Sequence, residues 1–322
     1  MSENLEILDN IPDPITTPRE GVNRLVIGAS AAGTFNADAF MARLAAMRGR
    51  ERIKSAYVAP SSNLIDCGFL RNFENIIGVT LTGKHLASLA GVRSAPRLAN
   101  LIVPNSKTNR IDLSELPASS VARLRIERPS PVDLETIGRC AHIRNLDLVY
   151  VQTIDLRILA SMHLEELALT YVKNEEIASL DVIERIEKLN LCDCRSLRRL
   201  TGPSTKVTTL WIETCNGLEF ESLAAAAGVK RLRVAMCKQP FEVAVLASLP
   251  ELEDVTFANC KLVLEGIEGV RAPKLRRFWA NPVKDDVVGR ISRAFPTAMV
   301  CNGRVLEIDG VRQPRMQRFY EE

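Results

Sequence analysis

The chain has 322 residues, 46% hydrophobic and 25% charged, a composition that excludes intrinsic disorder. Its 42 basic and 39 acidic side chains leave a formal net charge of +3, so nothing draws it generally to nucleic acid or an anionic membrane. No apolar run approaches the roughly 18 residues that would cross a bilayer.

In chain order, Met1 to Arg19 comes first. It carries Glu3, Glu6, Asp9 and Asp13 where a secretory leader would be basic and then apolar. Pro12, Pro14 and Pro18 make this segment extended. The reading is a cytoplasmic protein whose 8 cysteines are reduced thiols. A first strand is expected around Val22, Leu25 and Ile27, and the small-residue run Ile27 to Gly33 reads as a tight turn after it. NADAFMARLAAMRGR predicts an amphipathic helix with Asn36 as its cap.

From there one pattern repeats: an apolar residue, two others, an apolar residue, one other, an apolar residue. It runs through Ile53/Ala56/Val58, Ile76/Val79/Leu81, Leu98/Leu101/Val103, Val121/Leu124/Ile126, Ile143/Leu146/Leu148 and Leu164/Leu167/Leu169. It continues through Ile186/Leu189/Leu191, Val207/Leu210/Ile212, Val229/Leu232/Val234, Leu252/Val255/Phe257 and Leu275/Phe278/Ala280. With the first strand that makes twelve units, spaced 21 to 23 residues apart except for the 31 between Val22 and Ile53. The last two apolar positions alternate with the period of a short strand. The remainder of each unit must return on the far side. LEFESLAAAAG and FEVAVLASLP look helical there, whereas PSTKVTT does not. At the end, KDDVVGRISRAF predicts a helix, and TAMVCNGRVLEIDGV a hairpin turning at Asn302-Gly303. The expected divisions are 1–52 as N-terminal segment, first strand and capping helix, 53–283 as the repeat array, and 284–322 as the C-terminal cap.

The pattern resembles the leucine-rich repeat, whose core reads L-x-x-L-x-L-x-x-N/C-x-L, over roughly residues 20 to 285. In the Asn/Cys slot stand Cys194, Cys215, Cys237 and Cys260 in four consecutive units. Elsewhere the slot departs from the family, with Ser30, Ser61, Lys84, Ser106, Pro129, Val151, Val172 and Val283. The resemblance implies an α/β solenoid, a horseshoe with a parallel β-sheet on its concave face and the return segments outside. Each unit has one apolar edge and must stack on its neighbours.

Function then belongs to the strand positions outside the framework. Tyr57, Tyr150, Tyr171, Trp211 and Trp279 all fall on outward strand or strand-end positions, leaving only Tyr320 in the tail. Tyr and Trp are enriched at binding hot spots. Charges on the same face come in blocks. Arg123, Arg125, Arg128 and Arg144 are basic; Glu165, Glu166, Glu187, Asp193 and Glu213 are acidic. Lys230, Arg231 and Arg233 are basic again, Glu253 and Asp254 acidic, and Arg276 and Arg277 basic. Alternating blocks suit a protein surface better than a polyanion. The partner-binding set is therefore Tyr57, Arg125, Tyr150, Tyr171, Trp211, Glu213, Arg233 and Trp279, centred on Trp211, Tyr171 and Tyr150.

No catalytic constellation is visible. The three histidines, His85, His142 and His163, have no serine or cysteine paired to them, and His142 and His163 read as edge residues preceding strands. Cys192-Asp193-Cys194 lacks the second pair or histidine that a zinc site needs, so Cys194 reads as a buried slot residue beside an exposed Cys192. Cys67 and Cys140 read as small core residues of return segments. There is no phosphate-binding glycine motif. No cofactor, metal, nucleic acid or membrane is expected. The expectation is a non-enzymatic protein-binding module, monomer or homodimer, in the manner of an inhibitor, immunity protein or effector. The alternatives are a scaffold that self-associates through its aromatic face, or an enzyme with an unrecognised site.

Overall fold

The computed structural model describes residues 4–8, 22–29, 35–105, 110–183, 186–303, 306–308 and 311–313. They form two compact units, the first of residues 1–149 and 161–163, the second of 150–160 and 164–322.

Unit 1 carries seven parallel strands in chain order: β1 (Asn4–Leu8), β2 (Arg24–Gly28), β3 (Ser55–Val58), β4 (Gly78–Leu81), β5 (Asn100–Pro104), β6 (Arg123–Glu127) and β7 (Asn145–Val149). Their register aligns Leu25, Ala56, Val79, Leu101, Leu124 and Leu146 in one inward row, all buried. β1 was not anticipated: part of the extended N-terminal segment adds a strand beside β2. Most of the small-residue run after β2 lies outside the described residues, as do slot positions Ser30 and Ser106. The predicted capping helix is α1 (Ala37–Ala46), and the Asn36 side chain accepts from the Ala39 N–H at 2.9 Å. A second helix, α2 (Pro131–Gly138), starts from a capping box in which Ser130 and Asp133 satisfy each other's backbone N–H, with Pro131 in the first turn.

Unit 2 carries β8 (Glu166–Thr170), β9 (Glu176–Ile177), β10 (Lys188–Cys192), β11 (Arg199–Leu200), β12 (Thr209–Glu213), β13 (Arg231–Ala235), β14 (Phe241–Glu242), β15 (Asp254–Ala258), β16 (Leu262–Val263), β17 (Arg277–Asn281) and β18 (Met299–Cys301). Strands β8, β10, β12, β13, β15, β17 and β18 make one parallel sheet. On the return side β9 pairs with β11 and β14 with β16. Inside, Phe220, Phe241, Phe257, Phe278 and Phe295 form a buried spine with successive ring centroids 4.7, 4.7, 5.5 and 6.0 Å apart.

The two return segments read as helical are 3-10 rather than α, over Phe220–Ala226 and Val243–Ser248. A return segment must advance by one strand spacing per unit, and the slimmer helix lets neighbours approach. Gly228 shows how close: a Cβ there would lie 2.3 Å from the Thr205 carbonyl oxygen. The C-terminal helix is α3 (Asp285–Ala294). β19 (Leu306–Ile308) runs antiparallel to β18, and β20 (Val311–Gln313) antiparallel to β19. The hairpin is as expected but its loop is longer, since Cys301 pairs with Leu306 and not with a residue directly after Gly303. Asn302 is drawn inward instead, its amide donating to the Val283 carbonyl and the Asp285 carboxylate.

Candidate functional site

Framework burial leaves the alternate strand positions facing out. In unit 1 the central outward row runs Val26, Tyr57, Thr80, Ile102, Arg125, Asp147. In unit 2 it runs Ala168, Asn190, Trp211, Arg233, Thr256, Trp279, Cys301. Five of the eight expected site residues thus occupy this row, Tyr57 and Arg125 in unit 1 and Trp211, Arg233 and Trp279 in unit 2. Glu213 ends β12 in the neighbouring outward row.

Tyr150 and Tyr171 are elsewhere. Each follows the last residue of a strand and has positive φ, 58° and 56°. They belong to a series, Arg128, Tyr150, Tyr171, Asp193, Thr214, Met236 and Asn259, all at φ 51–58°. The N–H of each donates to the last strand residue of the following unit, as Tyr171 does to Cys192 and Asp193 to Glu213. The left-handed residue turns the chain inward, and the next side chain enters the slot: Val151, Val172, Cys194, Cys215, Cys237 and Cys260 are all buried. The thiols donate to carbonyls of the turn, Cys194 to Leu169 and Cys192, Cys215 to Leu191 and Glu213, Cys260 to Val234 and Ala258. The thiol pKa values of Cys215 and Cys237 are raised by the neighbouring thiols of Cys194 and Cys260 and by burial.

This geometry corrects the expected centre. Trp211 lies on the strand face, whereas Tyr171 lies on the turn edge two strands away, about 14 Å from it by strand spacing and rise. The tyrosines form their own pair, rings 4.7 Å apart and 6° from parallel, each 38% exposed. Trp211, 40% exposed, is flanked by two cations: Lys188 Nζ at 4.1 Å and Arg233 Cζ at 5.2 Å from its ring. Such contacts are worth about 0.5–1 kcal/mol each at an exposed site and orient the indole. Glu166 holds Lys188 at 2.9 Å and accepts from the Asn190 amide at 2.6 Å. Lys188 and Asn190 were not singled out from sequence, although their period-2 spacing on β10 placed them on this face.

Within the basic block of unit 1, Arg125 has acidic neighbours. Arg125 is ion-paired with Asp147 and lies 3.8 Å from Glu127, so its charge is spent locally. Arg24 sits over Tyr57, 5.6 Å from the ring. Trp279 is half-buried beside Thr256 and Cys301. His142 is half-buried with its pKa lowered by burial and by Arg144, and His163 is exposed. Among the described residues no group of three or more His, Cys, Asp or Glu could hold a metal ion. No helix among them is long and apolar enough to cross a membrane.

A strand, a left-handed turn, a buried Cys or Val slot and a return segment, repeated in parallel register, decide the fold. The chain is a leucine-rich-repeat solenoid. No protein-family model and no curated protein matches this solenoid's sequence. Solved structures do match it. The TLR13–ssRNA13 complex superposes with a TM-score of 0.56 at 13% identity, over 88% of this chain and 46% of that one. The APL1 leucine-rich-repeat domain gives 0.45 at 14%, over 86% and 73%. An internalin, InlF of Listeria monocytogenes, gives 0.41 at 13%, over 87% and 74%. At these identities the likeness is one of fold, and the solenoid spans less than half of the TLR13 chain.

Proposed function

We propose that the solenoid is a non-enzymatic protein-binding module whose partner lies on the outward sheet face of unit 2. The observation that carries this is Trp211, a large apolar ring left 40% exposed yet held in place by Lys188 and Arg233. An exposed, pre-oriented indole loses little freedom when a partner covers it. The TLR13 structure of this fold holds single-stranded RNA, but the face here mixes signs. Glu166, Glu187, Glu213 and Asp254 stand among Lys188, Arg231, Arg233 and Arg277. A phosphate backbone would be repelled by half of that set, whereas a protein with complementary blocks would not. A role as inhibitor, immunity protein or effector, in the cytoplasm, is the finer form of the same proposal.

Affinity capture from the native extract tests it, with wild-type protein beside Trp211→Ala. The variant changes one exposed side chain and should stay folded, as its unchanged circular dichroism would show. A protein retained by the wild type and depleted at least about tenfold by the variant is expected for a central hot spot. Equal retention would move the binding site off this face.

A further inference from the structure

The turn edge of unit 2 carries a second feature, whose tyrosine Tyr171 lies about 14 Å from Trp211 and whose Glu213 borders the sheet face two residues along β12 from it. Tyr150 and Tyr171 present a stacked aromatic step, and the next turn residue along the edge is Asp193. Among the described residues Asp193 is ion-paired with exposed Arg195, at 3.5 Å, a contact worth little in water, and it accepts from the Cys192 thiol at 3.8 Å. Glu213, which precedes the following turn residue, is exposed, and its carboxylate has no ion pair or hydrogen bond among the described residues. Two effects register the negative charge. The Tyr171 hydroxyl pKa is raised, first by Asp193, and the Cys192 thiol is pushed up to about 11 by burial and then by Glu213 and Asp193. Asp193 thus acts on Tyr171 itself, and both carboxylates act on Cys192, whose carbonyl accepts from the Tyr171 N–H.

A flat aromatic surface next to two carboxylates, one of them paired only weakly, has one well-matched chemical complement. A guanidinium is planar, stacks on aromatic faces and donates in a fork to carboxylate oxygens. An ammonium is a compact point charge that keeps its water and gains less from the ring. We propose that the Tyr150–Tyr171 step, with Asp193 and Glu213, is a docking site for an arginine side chain on an extended basic segment of a protein partner. The site rests on the protein-binding reading only in that a protein supplies the arginine; it does not need Trp211.

The test is fluorescence anisotropy with labelled, end-capped hexa-arginine and hexa-lysine peptides at moderate salt. Hexa-arginine should bind about tenfold tighter than hexa-lysine, reflecting the stacking and forked contacts. Tyr171→Ala and the double substitution Asp193→Asn/Glu213→Gln should each weaken it about tenfold, and Arg195→Ala should strengthen it a few-fold by removing the internal competitor. Because the double substitution leaves the tyrosines and backbone alone, it keeps the test valid if Tyr171→Ala disturbs the turn. Glu253→Gln, whose parent carboxylate already faces Lys230 at 4.0 Å, is the control and should change nothing. Equal binding of the two peptides, no effect of the double substitution, or an equal loss in Glu253→Gln would overturn the proposal. Trp211→Ala should leave peptide binding intact. If it also leaves the captured partner intact, the sheet-face reading fails while the arginine site stands.

Discussion

The turns of the two units are closed by different chemistry. Among the described residues of unit 1 the left-handed device occurs once, at Arg128, and the closing groups of the earlier turns are oxygen and differ from turn to turn. The Ser62 hydroxyl accepts from the Leu64 N–H at 3.2 Å, the Thr82 hydroxyl donates to the Val58 carbonyl at 2.6 Å, and the Asn105 amide oxygen accepts from the Ile111 N–H at 3.3 Å. In unit 2 one device recurs: a left-handed residue, then a buried Val or Cys. A constant turn gives a constant offset between units, and side chains at equal positions fall into rows. The phenylalanine spine inside, the tyrosine step at the edge and the Asn190–Trp211–Arg233 row outside are all products of that constancy. The binding surface proposed above sits where the turns are most regular.

If the rows of unit 2 are a cooperative product of that turn, their core should be the costliest place to disturb. Phe257 packs at a tilt between Phe241 and Phe278 and is 1% exposed. Phe257→Ala should cost about 3–5 kcal/mol, from lost burial and a cavity between two rings. Both tryptophans, Trp211 and Trp279, lie in unit 2, so urea unfolding followed by indole emission reads this unit alone. A cost under about 1.5 kcal/mol would mean that the spine collapses freely and that the rows are not rigid.

The slot residues come next. Cys215→Ala removes a packed sulfur and its contacts to the Leu191 and Glu213 carbonyls, and should cost about 1–2 kcal/mol. The same ladder sets thiol reactivity. Cys67, Cys140, Cys194, Cys215, Cys237 and Cys260 are buried, so only half-buried Cys192 and Cys301 should react in the native state. With the Cys192 thiol at about 11, its thiolate fraction grows tenfold per pH unit below that value. Its labelling rate should therefore rise about tenfold from pH 8 to pH 9. Rapid, pH-independent labelling of more than two thiols would show that the ladder opens.

Much of this architecture was legible in the sequence because burial on one side of a strand imposes a pattern of residue type. Ile186/Leu189/Leu191 predicted β10 for that reason, and Asn36 announced α1 because an amide there satisfies an orphan N–H. What was not legible is conformation without a compositional signature. Tyr150, Tyr171 and Thr214 adopt φ near +57°, where glycine or asparagine would be the signal, so the strand-end tyrosines were grouped with the face residue Trp211. Charge neutralisation was hidden too. Arg125 and Asp147 are 22 residues apart and meet only through the register of β6 on β7. The alanine-rich Phe220–Ala226 has α propensity, but the close approach at Gly228 selects the narrower 3-10 form.

The smallest predicted effect bears most directly on why the two units differ. Thr214 sits at φ +56°, and a left-handed conformation costs an L-residue roughly 1–2 kcal/mol. Glycine has no such cost but loses about 0.5–1 kcal/mol through its freer unfolded chain. The balance predicts that Thr214→Gly stabilises unit 2 by about 0.5–1 kcal/mol. Asn259 holds the same position at φ +53° and already tolerates it, so Asn259→Gly should change stability by no more than a few tenths of a kcal/mol. Measured side by side by urea unfolding, the pair isolates backbone strain from everything else the turn does. A gain at 214 with none at 259 means that the turn is imposed on its residues by the slot behind it, here Cys215, and by the N–H donated to Ala235 ahead. Destabilisation at 214 would mean that the threonine side chain itself holds the turn, and the regularity of unit 2 would then be a property of particular residues, as it is in unit 1.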